Sequence, residues 1–364
     1  MSELIRLLQA FSADYAEARA KFLEAVAQAG LHAESHAHPG SGPNGEALAT
    51  DSVWIGPADA DNVLVLISAT HGVEGFCGSG AEIDFLRNLP ELPRDTAALV
   101  IHAINPHGFA WLRRVTMEGV DLNRNFVDFS VPLPENPGYD ELADAIVPDS
   151  LSEVAILEAD ARLAAYFEKH GARDFEIALS GGQYRHPHGM FYGGTAPTWS
   201  RTTTEALVAR HRLAERQRVA LIDFHTGLGP FGYGEPICDH PPGSTGVTLA
   251  KQWYGDSVTE PALGSSTSVP KTGLADFGWQ DLVGEPLVYV ALEFGTYSFD
   301  EMKRVLRADH WLHAQGAVDW SSAETKRIKT AIRRQFYPDT DDWKEMVLFR
   351  SRQLIRQALN GMAS

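Results

Sequence analysis

The sequence has few cysteines and comparatively few basic residues. Only Cys77 and Cys238 occur among its 364 residues, too few for a disulfide framework or for a metal site built from thiolates. The 31 lysines and arginines are outnumbered by 48 aspartates and glutamates, and the formal net charge is -17. A basic surface for nucleic acid or anionic lipid is therefore not expected. Any bound metal must use histidine and carboxylate ligands.

The sequence also lacks an apolar segment long enough to cross a membrane, since no stretch stays apolar for about 18 residues. Its start has no basic segment followed by an apolar run and a small-residue cleavage site. We therefore expect a soluble, cytoplasmic protein with neither a membrane nor a nucleic acid as partner. The composition gives no indication of the oligomeric state.

Apolar residues make up 44% of the chain, enough for one large core or two modest ones. We expect a single domain spanning 1–364, on which an N-terminal helix over 1–30 and a C-terminal helical segment over 322–364 pack. The N-terminal helix is predicted from apolar residues at helical spacing before a terminating glycine. These residues are Leu4, Leu8, Phe11, Tyr15, Ala18 and Phe22, followed by Gly30.

Four later runs are apolar almost without alternation, which is typical of strands buried on both faces of a sheet. They read VLVLISAT (63–70), ALVIHAIN (98–105), VALIDFHTG (219–227) and VYVALEFG (288–295). Helical patterns over 76–88, 150–170, 200–217 and after 300 alternate with them, whereas 127–149 and 228–247 have the composition of surface loops. The predicted fold class is α/β, with a mixed, twisted β-sheet flanked by helices on both faces.

Three of these runs end in polar residues that a buried core would not select. His71 and Glu74 follow the first run in HGVEG, His225 ends the third in DFHTG, and Glu293 lies in the last in LEFG. Ligands of α/β sheets collect at the carboxyl ends of strands, and two imidazoles with one carboxylate can hold Zn²⁺ with one position open. Glu293, among apolar neighbours, requires a cation or a proton.

Each of these features has an ordinary structural explanation when taken alone. The first pair could be a solvated loop, the strand-end histidine could be hydrogen-bonded, and the glutamate could form a buried ion pair. Asp223, two residues before His225, could support an imidazole, but the spacing does not show which one. It is the combination of the three that favours a metal site.

A fourth cluster, RRVTMEGVDLNRNF (113–126), contributes Arg113, Arg114, Asn123 and Arg124. Guanidinium groups bind carboxylates through two parallel hydrogen bonds and can stabilise a developing oxyanion. A charged surface loop is the ordinary alternative for this stretch. Together with the metal-site residues, the cluster favours a site that binds an anionic substrate.

The motifs HGVEG, GVDLNRNF, DFHTG and LEFG, in this order over about 60–300, resemble the zinc carboxypeptidase superfamily. That superfamily includes carboxypeptidase A-like peptidases and the aspartoacylase and succinylglutamate desuccinylase deacylases. The resemblance implies one zinc per chain, and hydrolysis of an amide bond near a free carboxylate in a small peptide or an N-acyl amino acid. It implies that His71, Glu74 and His225 are the zinc ligands and that Glu293 is the general base. It further implies that Arg114, or alternatively Arg113, stabilises the oxyanion. Asn123 and Arg124 would bind the substrate carboxylate.

The resemblance is incomplete at the substrate pocket. Gly273, Asp276 and Phe277 resemble the glycine and the Asp-aromatic pair that carboxypeptidases have at their specificity pocket, ahead of the general base. The stretch that ends at this glycine, GSSTSVPKTG, has no tyrosine where the peptidases place a mobile one. Four tyrosines are candidates to replace it: Tyr184, Tyr192, Tyr233 and Tyr297. The forms DFHTG and LEFG are nearer to the deacylases, and NPHGF and DLNRNF are nearer to the peptidases, so the substrate stays open.

Three alternatives are less favoured. A second metal at His186 and His188 is disfavoured because Pro187 restricts the backbone between them. A serine hydrolase is disfavoured because LSGGQ around Ser180 lacks a GxSxG turn. A catalytically inactive carboxylate-binding or peptide-binding protein of the same fold is the remaining alternative, and Glu293 argues against it because a binding pocket needs no buried base.

Overall fold

A computed structural model describes residues 7–285 and 287–363 of the chain. Within them, a mixed sheet of seven strands has the order β1-β2-β4-β3-β5-β7-β6. Strands β4, β3, β5 and β7 run parallel, while β1, β2 and β6 pair antiparallel at the two edges. The strand bounds are β1 Ala33–Ser41, β2 Ala47–Ile55, β3 Asn62–Ile67, β4 Thr96–His102, β5 Arg218–Gly227, β6 Gly234–Ile237 and β7 Leu287–Gly295.

The helices of the described residues lie before, between and after these strands. Their bounds are α1 Tyr15–Gln28, α2 Gly75–Arg87, α3 Pro106–Ala110, α4 Pro137–Ile146, α5 Glu153–His170, α6 Ala172–Ser180, α7 Trp199–Arg210, α8 Thr245–Tyr254, α9 Ala275–Val283, α10 Phe299–Ala314, α11 Ala323–Phe336 and α12 Asp341–Met362. None of them combines the length and the apolar character needed to span a membrane.

Helices cover both faces of the sheet, as the near-continuous apolar runs predicted. On one face, Leu64 and Leu66 of β3 pack in a layer that includes residues of α1, α2, α8 and α12. On the other face, Val63 and Val65 pack in a layer with residues of α7 and α9. A third apolar cluster joins α4, α5, α6, α10 and α11. The predicted α/β class with a mixed sheet is therefore confirmed.

The four predicted strands correspond to β3, β4, β5 and β7, but two predicted loops contain regular structure. Helix α4 lies inside 127–149, where the Asn136 side chain caps the helix and Pro137 occupies its first turn. Strand β6 lies inside 228–247 and pairs with the edge of β7. The predicted helix over 200–217 ends at Arg210, ahead of a short 3₁₀ turn.

The predicted helix over 1–30 is shorter among the described residues. Helix α1 begins at Tyr15, because the Asp14 side chain accepts a hydrogen bond from the Glu17 N–H and caps the first turn. Leu4 lies outside the described residues. At the other end of the chain, the predicted helical segment over 322–364 contains two helices, α11 and α12. Pro338 separates them, because it disfavours a helical conformation at Tyr337, directly after α11.

Candidate metal site and adjoining cavity

The carboxyl ends of three neighbouring parallel strands bring the candidate ligands together. His71 follows β3, and His225 lies near the end of β5, directly opposite Glu293 of β7 in the strand register. Ala69 adopts a left-handed conformation with φ 63°, which turns the chain at the end of β3. After β3 the chain continues to β4 on one side of the sheet, whereas after β5 it continues to β6 at the opposite edge. The residues therefore meet at the point where ligands of open α/β sheets bind.

The ligand atoms of His71, Glu74 and His225 all lie within 4.8 Å of one another, and all three residues are buried. The two Nδ1 atoms are 3.2 Å apart. His71 Nδ1 is 3.0 Å from Glu74 Oε1, and His225 Nδ1 is 3.4 Å from Glu74 Oε2. A tetrahedral ion with bonds of about 2.0 to 2.1 Å separates its ligands by about 3.3 Å, so the spacing fits a single ion of that kind.

Each imidazole has a buried carboxylate beside its other nitrogen. His71 Nε2 is 3.2 Å from Asp121 Oδ1, and His225 Nε2 is 2.9 Å from Asp223 Oδ2. When Nδ1 binds a metal, Nε2 carries the hydrogen, and a carboxylate at that side fixes the ring and increases its basicity. The two imidazoles are therefore oriented in the same way, with both Nδ1 atoms toward Glu74.

The charges around these residues favour a cation. Burial opposes ionisation of Glu74, but His71, His225 and Arg114 outweigh it and hold the pKa of that carboxyl well below its usual range. Burial would likewise lower the pKa of His225, but Asp223 and Glu74 raise it well above its usual range. The same carboxylates that stabilise a protonated imidazole also stabilise a metal ion.

Arg114 is buried and contacts the ligand residues directly. Its Nε donates to Asp121 at 2.9 Å and its Nη1 donates to Glu74 at 3.0 Å. Its Nη2 is 2.7 Å from His71 Nε2. Arg113 is separate from the site, because it is buried in an ion pair with Asp309 at 2.9 Å. Of the two candidate arginines, the structure brings only Arg114 to the site.

Glu293 is buried beside the ligand residues. Its Oε1 accepts a hydrogen bond from the Leu228 N–H at 2.9 Å, and Oε2 has no hydrogen-bond partner among the described residues. Burial, together with the neighbouring Glu74 carboxylate, raises the pKa of Glu293 to about 7. A carboxyl group of this kind can take up and release a proton near neutral pH.

Arg124 and Asn123 lie on the same side of the site. Nε and Nη2 of Arg124 donate to the Ser180 carbonyl at 3.3 and 2.8 Å, and Nη1 donates to the Asn123 carbonyl at 2.5 Å. A guanidinium has five N–H donors, so one on each terminal nitrogen has no hydrogen-bond partner among the described residues. The Ala275 N–H donates to Asn123 Oδ1 at 2.7 Å, which identifies that atom as oxygen and leaves the Asn123 Nδ2 available.

A cavity of about 100 Å³ adjoins these residues. It is lined by His71, Glu74, Arg114, Asn123, Arg124, His225 and Glu293, and its apolar wall includes Leu228, Phe299 and Met302. Gly273, with φ +67, lies against Arg124, and a Cβ there would be 2.2 Å from the Arg124 carbonyl oxygen. The glycine therefore lets the pocket loop approach Arg124 closely.

Four residues around the site were not predicted from the sequence. Lys271 and Asp239 line the cavity, and Tyr289 OH donates to Asp223 Oδ2 at 2.7 Å. Asp121 lies in the GVDLNR motif two residues before Asn123, and this position was the one available signal for it. No pattern in the stretch GSSTSVPKTG distinguishes Lys271 as a residue of the site.

None of the four candidate tyrosines lines the cavity. Tyr184 OH donates to the Arg124 carbonyl at 2.8 Å, whereas Tyr233 is exposed. Asp276 does not line it either, and instead accepts a hydrogen bond from the Asp239 N–H at 3.1 Å. The predicted pocket pattern of Gly273, Asp276 and Phe277 therefore lies next to the cavity, and the neighbouring Leu274 lines it.

Two of the less favoured alternatives concern His186 and Ser180, whose side chains have other partners. His186 Nε2 is 2.8 Å from Asp140, and the metal-binding group found among the described residues is that of His71, Glu74 and His225. The Ser180 hydroxyl donates to the Glu176 carbonyl of its own helix at 2.8 Å. That serine is therefore not arranged as a nucleophile beside a base.

Several solved structures are similar to this chain at low identity. Bovine thrombin-activatable fibrinolysis inhibitor, in complex with tick carboxypeptidase inhibitor, has a TM-score of 0.45 and 12% identity, covering 93% of this chain and 98% of that chain. A metallo-carboxypeptidase from Pseudomonas aeruginosa has a TM-score of 0.38 and 14% identity, covering 92% of this chain and 69% of that chain. An aspartoacylase family protein from Mesorhizobium loti has a TM-score of 0.37 and 14% identity, covering 79% of this chain and 68% of that chain.

A search of the curated proteins finds no match. A family model described as "Protein of unknown function (DUF2817)" matches residues 11–350, nearly the whole chain, and the chain therefore belongs to that family.

Proposed function

We propose that this chain is a zinc-dependent hydrolase that cuts an amide bond near a free carboxylate, in a small peptide or an N-acyl amino acid. The observation that carries the proposal is the convergence of His71, Glu74 and His225, with a carboxylate behind each imidazole. Three protein ligands of these types are typical of catalytic zinc sites, which keep one position open. We propose one zinc per chain.

Zinc at this position would lower the pKa of a water molecule and polarise the scissile carbonyl. Glu293 would accept the proton of the attacking water at Oε2, because Oε1 is occupied by the Leu228 N–H. The oxygen of that water would bond to the carbonyl carbon while the π electrons of the C=O bond move to its oxygen. When the carbonyl re-forms, the C–N bond would break, and Glu293 would return the proton to the leaving amine. Burial, followed by the neighbouring Glu74 carboxylate, raises the pKa of Glu293, which makes it a stronger base than an exposed carboxylate.

Arg124 and Asn123 would bind the substrate carboxylate. The two unused N–H groups on the terminal nitrogens of Arg124 match the two oxygens of a carboxylate, and Asn123 Nδ2 can supply a further donor. Arg124 is fully buried and its pKa falls to about 10, chiefly because of burial. A buried guanidinium bonded only to carbonyl groups gains from an anionic ligand, which would offset the cost of its burial.

Arg114 would offset the negative charge that develops on the carbonyl oxygen. Its guanidinium lines the cavity beside the ligands and stays charged, because Asp121 and Glu74 outweigh burial and raise its pKa further. Positioned donors of this kind are worth about 3 to 4 kcal/mol in acyl transfer. Because Arg114 also donates to Glu74, it would orient that ligand as well.

The test is a hydrolysis screen of N-acyl amino acids and dipeptides with a free carboxylate. Wild type should hydrolyse members of one group, lose activity with a chelator and regain it with zinc. Glu293→Gln should bind zinc normally but lose about a hundredfold or more in turnover, since general-base catalysis is typically worth that much. Glu158→Gln, at an exposed position on α5, is the matched control and should behave as wild type.

Three results would contradict the proposal. Activity that survives complete removal of the metal would exclude the zinc chemistry. Turnover by Glu293→Gln close to that of wild type would show that Glu293 is not the base. Binding of the carboxylate compounds without hydrolysis of any of them would favour the inactive binding protein instead.

A further inference from the structure

Lys271 lines the cavity on a loop that is tied down at several points. Its ammonium donates to the Val269 carbonyl at 2.8 Å and to the Ser268 hydroxyl. The loop is fixed to β6 through Glu235, which accepts hydrogen bonds from the Ser266 hydroxyl at 2.9 Å and from the Thr267 N–H at 3.2 Å. The ammonium is therefore held in place at the cavity wall.

The charge of Lys271 is only partly compensated. An ammonium has three donors, and two of them are used by the loop itself. Among residues 7–285 and 287–363, no carboxylate forms an ion pair with it. Burial, followed by the repulsion of Arg124, lowers the pKa of Lys271 to about 8, so the group is mostly charged at neutral pH. A cation in such surroundings is costly unless an anion joins it.

The other groups that face the cavity show which ligand would fit. Arg114 is neutralised by Glu74 and Asp121, whereas Arg124, like Lys271, has only uncharged partners among the described residues. Two cations without a salt bridge thus line one cavity.

Besides Glu74, which is paired with Arg114, three carboxylates line the cavity and compete with a ligand for its cations: Asp239, Glu293 and Glu176. Asp239 lines the same cavity and attracts Lys271, but burial and the neighbouring Asp276 raise the pKa of Asp239 to about 6. Glu293, the proposed base, also attracts Lys271. None of the three forms an ion pair with Lys271 or Arg124 among the described residues, so both cations remain available to an anion with more than one charge.

We propose that Lys271 is a specificity-determining residue that binds a second anionic group, so that the preferred substrates carry another carboxylate besides the one held by Arg124. This extra carboxylate would belong either to the acyl group or to the leaving amino acid. The assignment of the reacting bond rests on the proposed function, whereas the binding of a dicarboxylate does not.

Binding is tested with glutarate and its monoamide, glutaramate, which have nearly the same shape and differ by one charge. Zinc-loaded protein is titrated by calorimetry at constant ionic strength, since salt screens exposed charges. Wild type should bind glutarate about ten- to a hundredfold more tightly than glutaramate, the range expected for one hydrogen bond to a charged group.

Variants at Lys271 assign this preference to the lysine. In Lys271→Met the ratio should fall to near one, whereas Lys271→Arg should keep most of it. Lys326→Met, at an exposed position on α11, is the matched control and should keep the wild-type ratio. Asp239→Asn should increase the ratio, because it removes the carboxylate that faces the lysine. Should Lys271→Met fail to fold, Lys271→Gln and the wild-type ratio serve in its place.

Three results would overturn the proposal. Equal affinities for the two compounds on wild type would exclude a second anion site. An unchanged ratio in Lys271→Met would place that site elsewhere, and an equal loss of affinity for both compounds would mean that Lys271 is structural or shares the carboxylate held by Arg124.

A kinetic comparison separates this proposal from the proposed function. The kcat/KM for N-acetylglutamate is compared with that for N-acetylglutamine. In the same way, N-glutaryl-alanine is compared with the compound in which the terminal carboxylate of the glutaryl group is an amide. Hydrolysis that requires Glu293 but does not distinguish acid from amide in either pair would leave the proposed function standing and refute the role of Lys271. If no substrate is hydrolysed but glutarate is still preferred over glutaramate, the role of Lys271 would stand and the proposed function would be refuted.

Discussion

Replacing Asp223 with asparagine should weaken zinc binding without removing a ligand. Asp223 Oδ2 is 2.9 Å from His225 Nε2, and the carboxylate also accepts hydrogen bonds from the Thr70 hydroxyl at 2.9 Å and from Tyr289 OH at 2.7 Å. Asparagine keeps the shape and can still accept hydrogen bonds. The negative charge that orients His225 and increases its basicity is lost.

The expected loss follows from the role of this carboxylate. Removing a group that supports a metal-bound histidine typically costs about ten- to a hundredfold in metal affinity, or about 1.4 to 2.7 kcal/mol. We expect Asp223→Asn to fall in this range, because the carboxylate is buried and raises the pKa of His225 strongly. Zinc affinity is measured at neutral pH by competition with a chromophoric chelator.

Tyr289→Phe is the matched control for this prediction. It removes one hydrogen bond to the same carboxylate, but leaves the charge beside His225 in place. Its zinc affinity should stay much closer to that of wild type than the affinity of Asp223→Asn. Equal zinc affinity of Asp223→Asn and wild type would refute the view that this carboxylate supports a metal ligand.

Two further predictions concern substrate binding and stability. Converting the substrate carboxylate to an amide should lower kcat/KM of wild type by about ten- to a hundredfold. Arg124→Lys should lose much of this discrimination, because lysine lacks the planar fork of arginine. Equal rates for acid and amide on wild type would exclude binding of the substrate carboxylate by Arg124. Burial lowers the pKa of His102 from 6.5 to about 4, so the unfolded chain binds a proton that the folded chain does not bind in this interval. The free energy of unfolding should therefore fall as the pH falls from 6.5 to 4, by about 3 kcal/mol more in wild type than in His102→Gln. Denaturant unfolding at several pH values measures this difference, and parallel pH profiles of the two proteins would contradict it.

The parts of the fold that were predictable are those with an uninterrupted apolar signal. Strands β3, β4, β5 and β7 are buried on both faces, so their sequences are continuous apolar runs. Strand β1 pairs only at the edge of the sheet, and its sequence AESHAHPGS is mostly polar. Helix α4 was not recognised because Asn136 and Pro137, which begin it, are equally common in loops.

The same contrast applies to the candidate site. His71, His225 and Glu293 were found because each interrupts or ends an apolar strand. The partner of Asp223 is decided by side-chain orientation at the end of β5, which spacing along the chain does not determine. Lys271 lies in a loop without periodicity, and its position depends on contacts with distant segments, such as the hydrogen bond from the Thr272 N–H to the Gly181 carbonyl at 2.9 Å.

The zinc content of the purified protein tests the central claim most directly. Elemental analysis of wild type grown with added zinc should give close to one zinc per chain, because the described residues provide one group of three ligands with an open position. In His225→Ala, which lacks one of the three, the zinc content should fall far below one per chain. A wild-type content near zero, or near two, or an unchanged content in His225→Ala, would contradict the site proposed for His71, Glu74 and His225.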